Sequence, residues 1–371
     1  MEITLEWLIT RFESARGGNA ANVRSMEGLR GFAVFLVFMV HFVTQIIPWL
    51  SKSSFIIPVS DAINRFGNSG VDLFFVLSGY LIYGSLISRP QNFFNFMSRR
   101  IQRIYPTFVV VFVIYFLFSI LFPAESRVPS APFAAFVYLL QNFLLLPGFF
   151  PIVPMITVAW SLSFELFFYL IIPLIIVLFG LRKRTLRWRI AFFLIIAVTI
   201  VGVGFGHGNY SRMAMFISGI FLFEAIKNRK HAAPKSVWGV VFLAIGILAS
   251  IIQIPGFLGN AIRIGSLFIS FFMVCYICFS NSEIWISRCF SWTPLRWLGN
   301  MSYSYYLIHG LALKGAFLLL KILLPTATHG AGLFFMLLPI MFTVTIFPSA
   351  ILFLLVERPF SIVSGQHKKP V

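Results

Sequence analysis

The stretch Gly28–His41, GLRGFAVFLVFMVH, has an arginine near one end and a histidine at the other, with only apolar residues or glycine between Arg30 and His41. Continued to Leu50, the run is long enough to cross a bilayer as a helix. Arg30 and His41 would then be separated by about 16 Å along the axis and lie within about 20° of the same face. Because an imidazole inside hydrocarbon is costly, such a residue usually marks a functional site. Two simpler interpretations remain, in which Arg30 is a flanking cation and His41 bonds a neighbouring helix.

The composition is that of an integral membrane protein. Of the 371 residues, 59% are hydrophobic and only 11% are charged, and the mean hydropathy is +0.92. A soluble chain carries about a quarter charged residues. The net charge of +18 lies in short clusters between apolar runs, which is typical of cytoplasmic loops. We therefore expect an all-α, polytopic membrane protein and no nucleic-acid partner.

Eleven apolar runs are candidate membrane segments. After the run that contains His41 they lie at 68–88, 104–123, 133–147, 157–180, 190–206, 210–226, 236–253, 263–281, 299–321 and 332–356. If all eleven cross, the basic cluster that begins at Arg182 lies opposite Arg99–Arg103. If 133–147, the shortest run, does not cross, every basic cluster lies on the cytoplasmic side. We therefore predict about ten spanning helices, a re-entrant or interfacial segment at 133–147, and cytoplasmic termini.

The domain organisation follows from these runs. Residues 1–23 are predicted to form an N-terminal amphipathic segment and linker, because Leu5, Leu8, Ile9 and Phe12 recur with helical spacing. A transmembrane domain at 24–360 and a cytoplasmic tail at 361–371 follow.

Three ionisable residues are predicted to lie in the outer half of the membrane. They are His41, Asp72 and Glu165, each on a different span. A carboxylate beside an imidazole orients it and raises its basicity, so an acid is expected to assist His41. Asp72 also fits an acid stabilised by the positive N-terminus of a helix. Glu165 lies between Phe164 and Leu166 and therefore needs a polar partner.

Two further segments carry candidate site residues. Arg100 and Arg103 are one helical turn apart at the predicted mouth of a span, an arrangement that suits phosphate but also a topology anchor. The stretch Gly299–His309 is rich in hydroxyl groups, and His309 lies about 15 Å deep. Hydrogen bonding between helices also explains this stretch. The scattered His, Asp and Glu residues match no tight metal-ligand spacing, so no metal is expected.

Six segments in order resemble the motifs of the acyltransferase-3 family of membrane acyltransferases. They are Met26–Gly31 followed by His41, Gly70–Tyr80, Arg100–Pro106, Trp160–Glu165, Gly299–His309 and Glu357–Pro359. The chain departs from the family at Leu166 and Phe167, where members often carry a second acid and a glutamine. Many members also have a C-terminal hydrolase-like domain, and we expect this chain to be a stand-alone member without one.

The resemblance implies an O-acyltransferase, usually an O-acetyltransferase, of the bacterial inner membrane. Its donor would be cytoplasmic acyl-coenzyme A, a co-substrate rather than a tightly bound cofactor, and its acceptor a hydroxyl of an extracytoplasmic or lipid-linked glycan. Arg100 and Arg103, with Arg30, would hold the donor nucleotide. His41, assisted by Asp72 or Glu165, would act as general base or be transiently acylated. Structural or acceptor-side roles are expected for the remaining candidates, Ser302, Tyr303, His309 and Glu357.

A transporter or flippase of a glycan or small molecule is the alternative function. Intramembrane His, Asp and Glu residues suit proton coupling as well as catalysis. Paired broken helices in two halves of the chain, typical of many transporters, are not evident in the sequence.

Overall fold

The structure is a computed structural model that describes residues 5–13, 20–207, 209–229, 234–326 and 329–363. Regular structure in these ranges is helical, apart from one isolated bridge between Leu50 and His329. The α-helices are α1 (Leu5–Phe12), α2 (Ala20–Ile46), α3 (Ile56–Gly67), α4 (Ser69–Ser88), α5 (Phe93–Leu121), α6 (Pro132–Phe143), α7 (Ala159–Leu178), α8 (Leu186–Val203), α9 (Ala214–Lys227), α10 (Ser236–Ile251), α11 (Gly256–Ser280), α12 (Trp285–Phe290), α13 (Thr293–Asn300), α14 (Ser302–Leu323) and α15 (Ala331–Leu352). A π-helix at Phe353–Val363 follows α15.

Eight helical segments in the described ranges are long and apolar enough to cross a membrane. They are Arg24–Trp49, Ile56–Ser88, Phe93–Leu121, Ala159–Leu178, Leu186–Val203, Gly256–Ser280, Ser302–Leu323 and Ala331–Ser361. The shorter helices α9 and α10, of 14 and 16 residues, cover two more of the predicted runs. The predicted all-α, polytopic membrane fold is therefore confirmed.

Helix α5 begins eleven residues before the predicted run at 104–123. The side-chain oxygen of Asn92 accepts hydrogen bonds from the backbone N–H groups of Phe94 and Asn95, at 2.9 and 3.4 Å. This cap satisfies donors that a helix N-terminus otherwise leaves unpaired. Arg100 and Arg103 consequently lie in the second and third turns of α5. Their predicted place at the mouth of the membrane span stays a prediction.

The described residues form two compact units. Unit 1 comprises Met1–Val40, Val59–Pro90 and Ile172–Ser302, and unit 2 comprises His41–Pro58, Gln91–Ile171 and Tyr303–Val371. Helix α2 contributes residues to both. Residues 1–4 and 14–19 of the predicted N-terminal segment at 1–23 lie outside the described residues, as do the side chains of Leu5 and Leu8. So do residues 364–371 of the predicted tail at 361–371.

Polar contacts in unit 1 place basic residues at one end of its helices. Arg182, which follows α7, donates two hydrogen bonds to the carbonyl of Leu86 near the end of α4, at 3.2 and 2.7 Å. Arg189 near the start of α8 forms a 2.8 Å ion pair with Glu224 near the end of α9, and Tyr83 of α4 donates to the same carboxylate. Arg182 therefore lies at the same face as the end of α4. That placement agrees with a 133–147 segment that does not cross.

Close backbone contact joins α2 to α13 within unit 1. A Cβ added at Gly31 would lie 2.0 Å from the carbonyl oxygen of Leu295, and one added at Gly299 would lie 1.7 Å from that of Glu27. Only glycine permits such an approach, because any larger residue would clash. Helix α1 packs on α13, where the centre of the Phe12 ring lies 5.9 Å from that of the Trp297 ring.

Helix α6 in unit 2 corresponds to the predicted re-entrant segment. Its 12 residues extend about 18 Å, well short of a hydrocarbon core of about 30 Å. The ring of Phe143 at its end lies 5.8 Å from those of Tyr105 and Phe112, near the middle of α5. The side-chain oxygen of Asn142 accepts a 2.7 Å hydrogen bond from the N–H of Met155. The segment thus ends halfway along α5 and continues as a non-helical loop stabilised by a side-chain amide.

Candidate functional site

Two histidines meet in unit 2. His41 lies near the end of α2 and is half-buried, whereas His309 lies at the end of the second turn of α14 and is fully buried. Their ring centroids are 5.0 Å apart, and the ring planes meet at 61°. His41 therefore faces the protein interior, as a functional histidine requires. Among the described residues its ring partner is an imidazole, where the sequence predicts a carboxylate.

The tautomer and orientation of His309 follow from its contacts. Its Nδ1 lies 2.9 Å from the backbone carbonyl oxygens of both Tyr305 and Tyr306. Because carbonyl oxygens only accept, Nδ1 carries the proton and Nε2 of the neutral ring is an acceptor. The ring also stacks on that of Tyr305, at 5.2 Å and 13°, and the Tyr305 hydroxyl bonds the Thr345 hydroxyl at 2.6 Å. His309 is thus held in one orientation.

An aromatic cradle holds Arg100 in unit 2. Its guanidinium carbon lies 5.2 Å from the ring centre of Phe96 and 5.5 Å from that of Tyr169, which favours a cation by cation–π attraction. The Tyr169 hydroxyl donates to the carboxylate of Glu165 one turn earlier on α7. Arg103 interacts electrostatically with the same tyrosine. The buried Arg100 Nε has no hydrogen-bond partner among the described residues, so its N–H is available to donate to a ligand.

The start of α14 is fixed to its neighbours by the other candidates in unit 2. The Tyr303 hydroxyl donates to the carbonyl of Ile104 on α5 at 2.9 Å. Glu357 accepts from the backbone N–H and the hydroxyl of Ser304, at 2.9 and 2.6 Å. Glu357 lies in the π-helix, a geometry that is frequent at functional sites. These contacts position the helix that carries His309.

The remaining candidates lie in unit 1. Asp72, in the first turn of α4, forms a two-point ion pair with Arg212, with N···O distances of 2.8 and 3.1 Å. Both side chains are buried, and Arg212 also donates to the carbonyl of Asn68 at 2.6 Å. Arg30 is buried as well and donates a 2.7 Å hydrogen bond to the hydroxyl of Ser302.

The structure therefore groups the predicted residues differently from the sequence. It places His41 beside His309, and Arg100, Arg103 and Glu165 around Tyr169. The roles assigned to these residues remain predictions.

The sequence analysis did not identify the partners of Asp72 and Glu165, although each partner has one recognisable feature in the sequence. Arg212 is a lone cation at the start of an apolar run, and Tyr169 follows Glu165 by one helical turn. Among the described residues no group of three His, Cys, Asp or Glu side chains is arranged to hold a metal ion.

Comparison with known proteins identifies relatives along most of the chain. A peptidoglycan O-acetyltransferase of Listeria monocytogenes is 29% identical over 278 residues, which are 66% of this chain and 44% of that protein. An uncharacterised protein of Haemophilus influenzae is 34% identical over 152 residues, 36% of this chain and 62% of that protein. The chain thus spans less than half the length of the Listeria enzyme. No solved structure matches it.

A family model described as an acyltransferase domain matches residues 23–356, nearly the whole transmembrane region. The match includes His41, Arg100, Arg103 and His309, but it ends one residue before Glu357. On this match, the chain belongs to the acyltransferase-3 family.

Proposed function

We propose that this chain is a membrane O-acetyltransferase of the bacterial inner membrane. It moves an acetyl group from acetyl-coenzyme A on the cytoplasmic side to a hydroxyl of an extracytoplasmic or lipid-linked glycan. The observation that carries the proposal is the imidazole of His41, held against the buried ring of His309 in the unit that also contains Arg100.

The donor is proposed to bind through the two arginines of α5, Arg100 and Arg103. Arg100 and Arg103 are one turn apart, and the aromatic rings of Phe96 and Tyr169 hold the Arg100 guanidinium without neutralising it. A planar guanidinium offers paired donors to the phosphates of a nucleotide. The unpartnered Nε of Arg100 supports a ligand at this point. Arg30 remains a candidate for the same task, although its guanidinium already bonds Ser302.

Acyl transfer by general base catalysis is supported by the setting of His41. A ring nitrogen of His41 takes the proton of the acceptor hydroxyl as its oxygen attacks the thioester carbon. The C–S bond then breaks, and the leaving thiolate takes the proton to give the coenzyme A thiol and an ester. In the second route, His41 attacks the thioester carbon first, which expels the coenzyme A thiolate and forms an acyl-imidazole. The acceptor hydroxyl then attacks this acyl group, the imidazole leaves, and the hydroxyl proton passes to the thiolate. Both routes need an unprotonated ring nitrogen at position 41.

The acceptor class is proposed from a relative, and the orientation from the basic residues. The Listeria relative is named for peptidoglycan, which supports a cell-envelope glycan as acceptor. The basic residues Arg182 and Arg189 lie at the same end of unit 1 as the end of α4. Because basic loops favour the cytoplasm, this end is proposed to be cytoplasmic, as are both termini.

The test uses purified protein with radiolabelled acetyl-coenzyme A and fragments of cell-envelope glycan. Wild type is expected to release thiol and label the glycan. His41→Ala should abolish both while the protein remains folded and binds the donor. Arg100→Ala should weaken donor binding, whereas Arg99→Ala, on an exposed neighbour, is the matched control and should not. Full activity of His41→Ala, or uptake of a solute without acetylation, contradicts the proposal.

A further inference from the structure

Nε2 of His309 is a buried hydrogen-bond acceptor without a partner among the described residues. Leaving a buried polar atom unpaired costs about 1–3 kcal/mol. Such atoms are rare in native structures, and each calls for a specific explanation. The lone pair cannot be moved to the other nitrogen, because Nδ1 is committed to the carbonyls of Tyr305 and Tyr306.

The imidazole of His41 lies against this ring. The 5.0 Å separation and the 61° angle between planes place one ring edge-on to the other. Stacking on Tyr305 prevents His309 from turning away. The half-buried His41 ring thus lies beside a ring that is held in one orientation and has an unused acceptor.

We infer that His309 is a positioning residue for the proposed acyl transfer, and that its Nε2 accepts a hydrogen bond from His41. When His41 takes the acceptor's proton on one nitrogen, the N–H on the other donates to His309. The neutral imidazole of His309 thus has the role of the aspartate in Ser-His-Asp triads. There the aspartate fixes the tautomer and orientation of the histidine base. This inference depends on the proposed function.

The inference accounts for the placement of the acids. Asp72 pairs with Arg212 in unit 1, and Glu165 accepts from Tyr169 beside Arg100. With His309 as the orienting group, neither carboxylate is needed at His41.

The test compares substitutions that separate the two nitrogens of His309. Asparagine at this position retains a donor to the carbonyl four residues earlier, as Asn142 and Asn228 do elsewhere in this protein. It lacks an acceptor at the Nε2 position. Glutamine loses the hydrogen bond to the backbone carbonyls. Its longer side chain, however, brings an oxygen to the Nε2 position and so restores the acceptor.

For His309→Asn we expect kcat about ten- to a hundredfold lower, from loss of one hydrogen bond to a charged group. The KM for acetyl-coenzyme A should not change, and His309→Gln should recover part of kcat. Wild-type kcat in His309→Asn, or equal rates for the two variants, overturns the inference.

If His309→Asn does not fold, His309→Gln and His309→Met form the matched pair, since they differ in the acceptor but not in length. A faster Gln variant supports the inference, and equal rates overturn it. A wild type that releases no thiol contradicts the proposed function itself and removes the basis of the inference. The two failures are therefore distinguishable.

Discussion

Replacing Asp72 with leucine tests whether this carboxylate stabilises the fold through its ion pair with Arg212 or takes part in catalysis. The carboxylate and the guanidinium of Arg212 are both buried, with relative exposures of 1% and 7%, and they share two contacts of 2.8 and 3.1 Å. Removing one member of a buried pair leaves the other charge uncompensated, which costs about 3–5 kcal/mol. Asp72→Leu should therefore lower the free energy of unfolding by that amount.

The double variant Asp72→Leu, Arg212→Met separates the two roles. Replacing a whole buried pair by apolar residues of similar volume is often neutral. The double variant should therefore regain most of the lost stability, and its activity should return with it. Glu283→Gln is the control, because its ion pair with Arg288 is exposed and should not matter.

Thermal unfolding in detergent, followed by intrinsic fluorescence, measures the stability of the four proteins. A wild-type transition midpoint in Asp72→Leu would show that the buried ion pair does not stabilise the fold. If the double variant is stable but inactive, Asp72 takes part in the chemistry, and its prediction as a catalytic acid is retained.

Three other outcomes are expected. Gly299→Ala should prevent accumulation of folded protein, because its Cβ would lie 1.7 Å from a carbonyl oxygen of α2. The control Gly315→Ala, where the Cβ would meet no atom within 4 Å, should accumulate normally, and equal membrane yields of the two variants would contradict this. Asn142→Ala should loosen the loop after α6 at a cost of about 1–2 kcal/mol, seen as faster proteolysis there. Cysteines replacing Arg89 and Lys183 should react with an impermeant thiol reagent from the same side, and labelling from opposite sides would contradict a non-crossing α6.

Much of the fold was predictable because a bilayer restricts the possible structures. Apolar runs predicted the helices, since backbone groups in hydrocarbon must be paired within helices. The non-crossing of 133–147, inferred from the basic clusters, stays a prediction. The start of α5 was missed because its first turns contain polar residues. There the cap at Asn92, rather than hydropathy, determines where the helix begins.

The neighbours of the site residues were predictable only in part. Spacing along a helix gives the depth of His41 and Asp72 but not which helix faces them. Their observed partners, His309 and Arg212, are distant in sequence, and packing between helices decides these contacts. The motif stretch Gly299–His309 was recognised, yet nothing in one sequence shows that His309 meets His41 rather than a structural partner.

In the proposed reaction, the imidazole at position 41 performs the transfer. The most direct measurement is the rate at which purified wild type and His41→Asn move labelled acetyl from acetyl-coenzyme A to glycan, with donor affinity measured on the same samples. We expect the variant to bind the donor with unchanged affinity and to show no detectable transfer. Transfer by His41→Asn at the wild-type rate would contradict it.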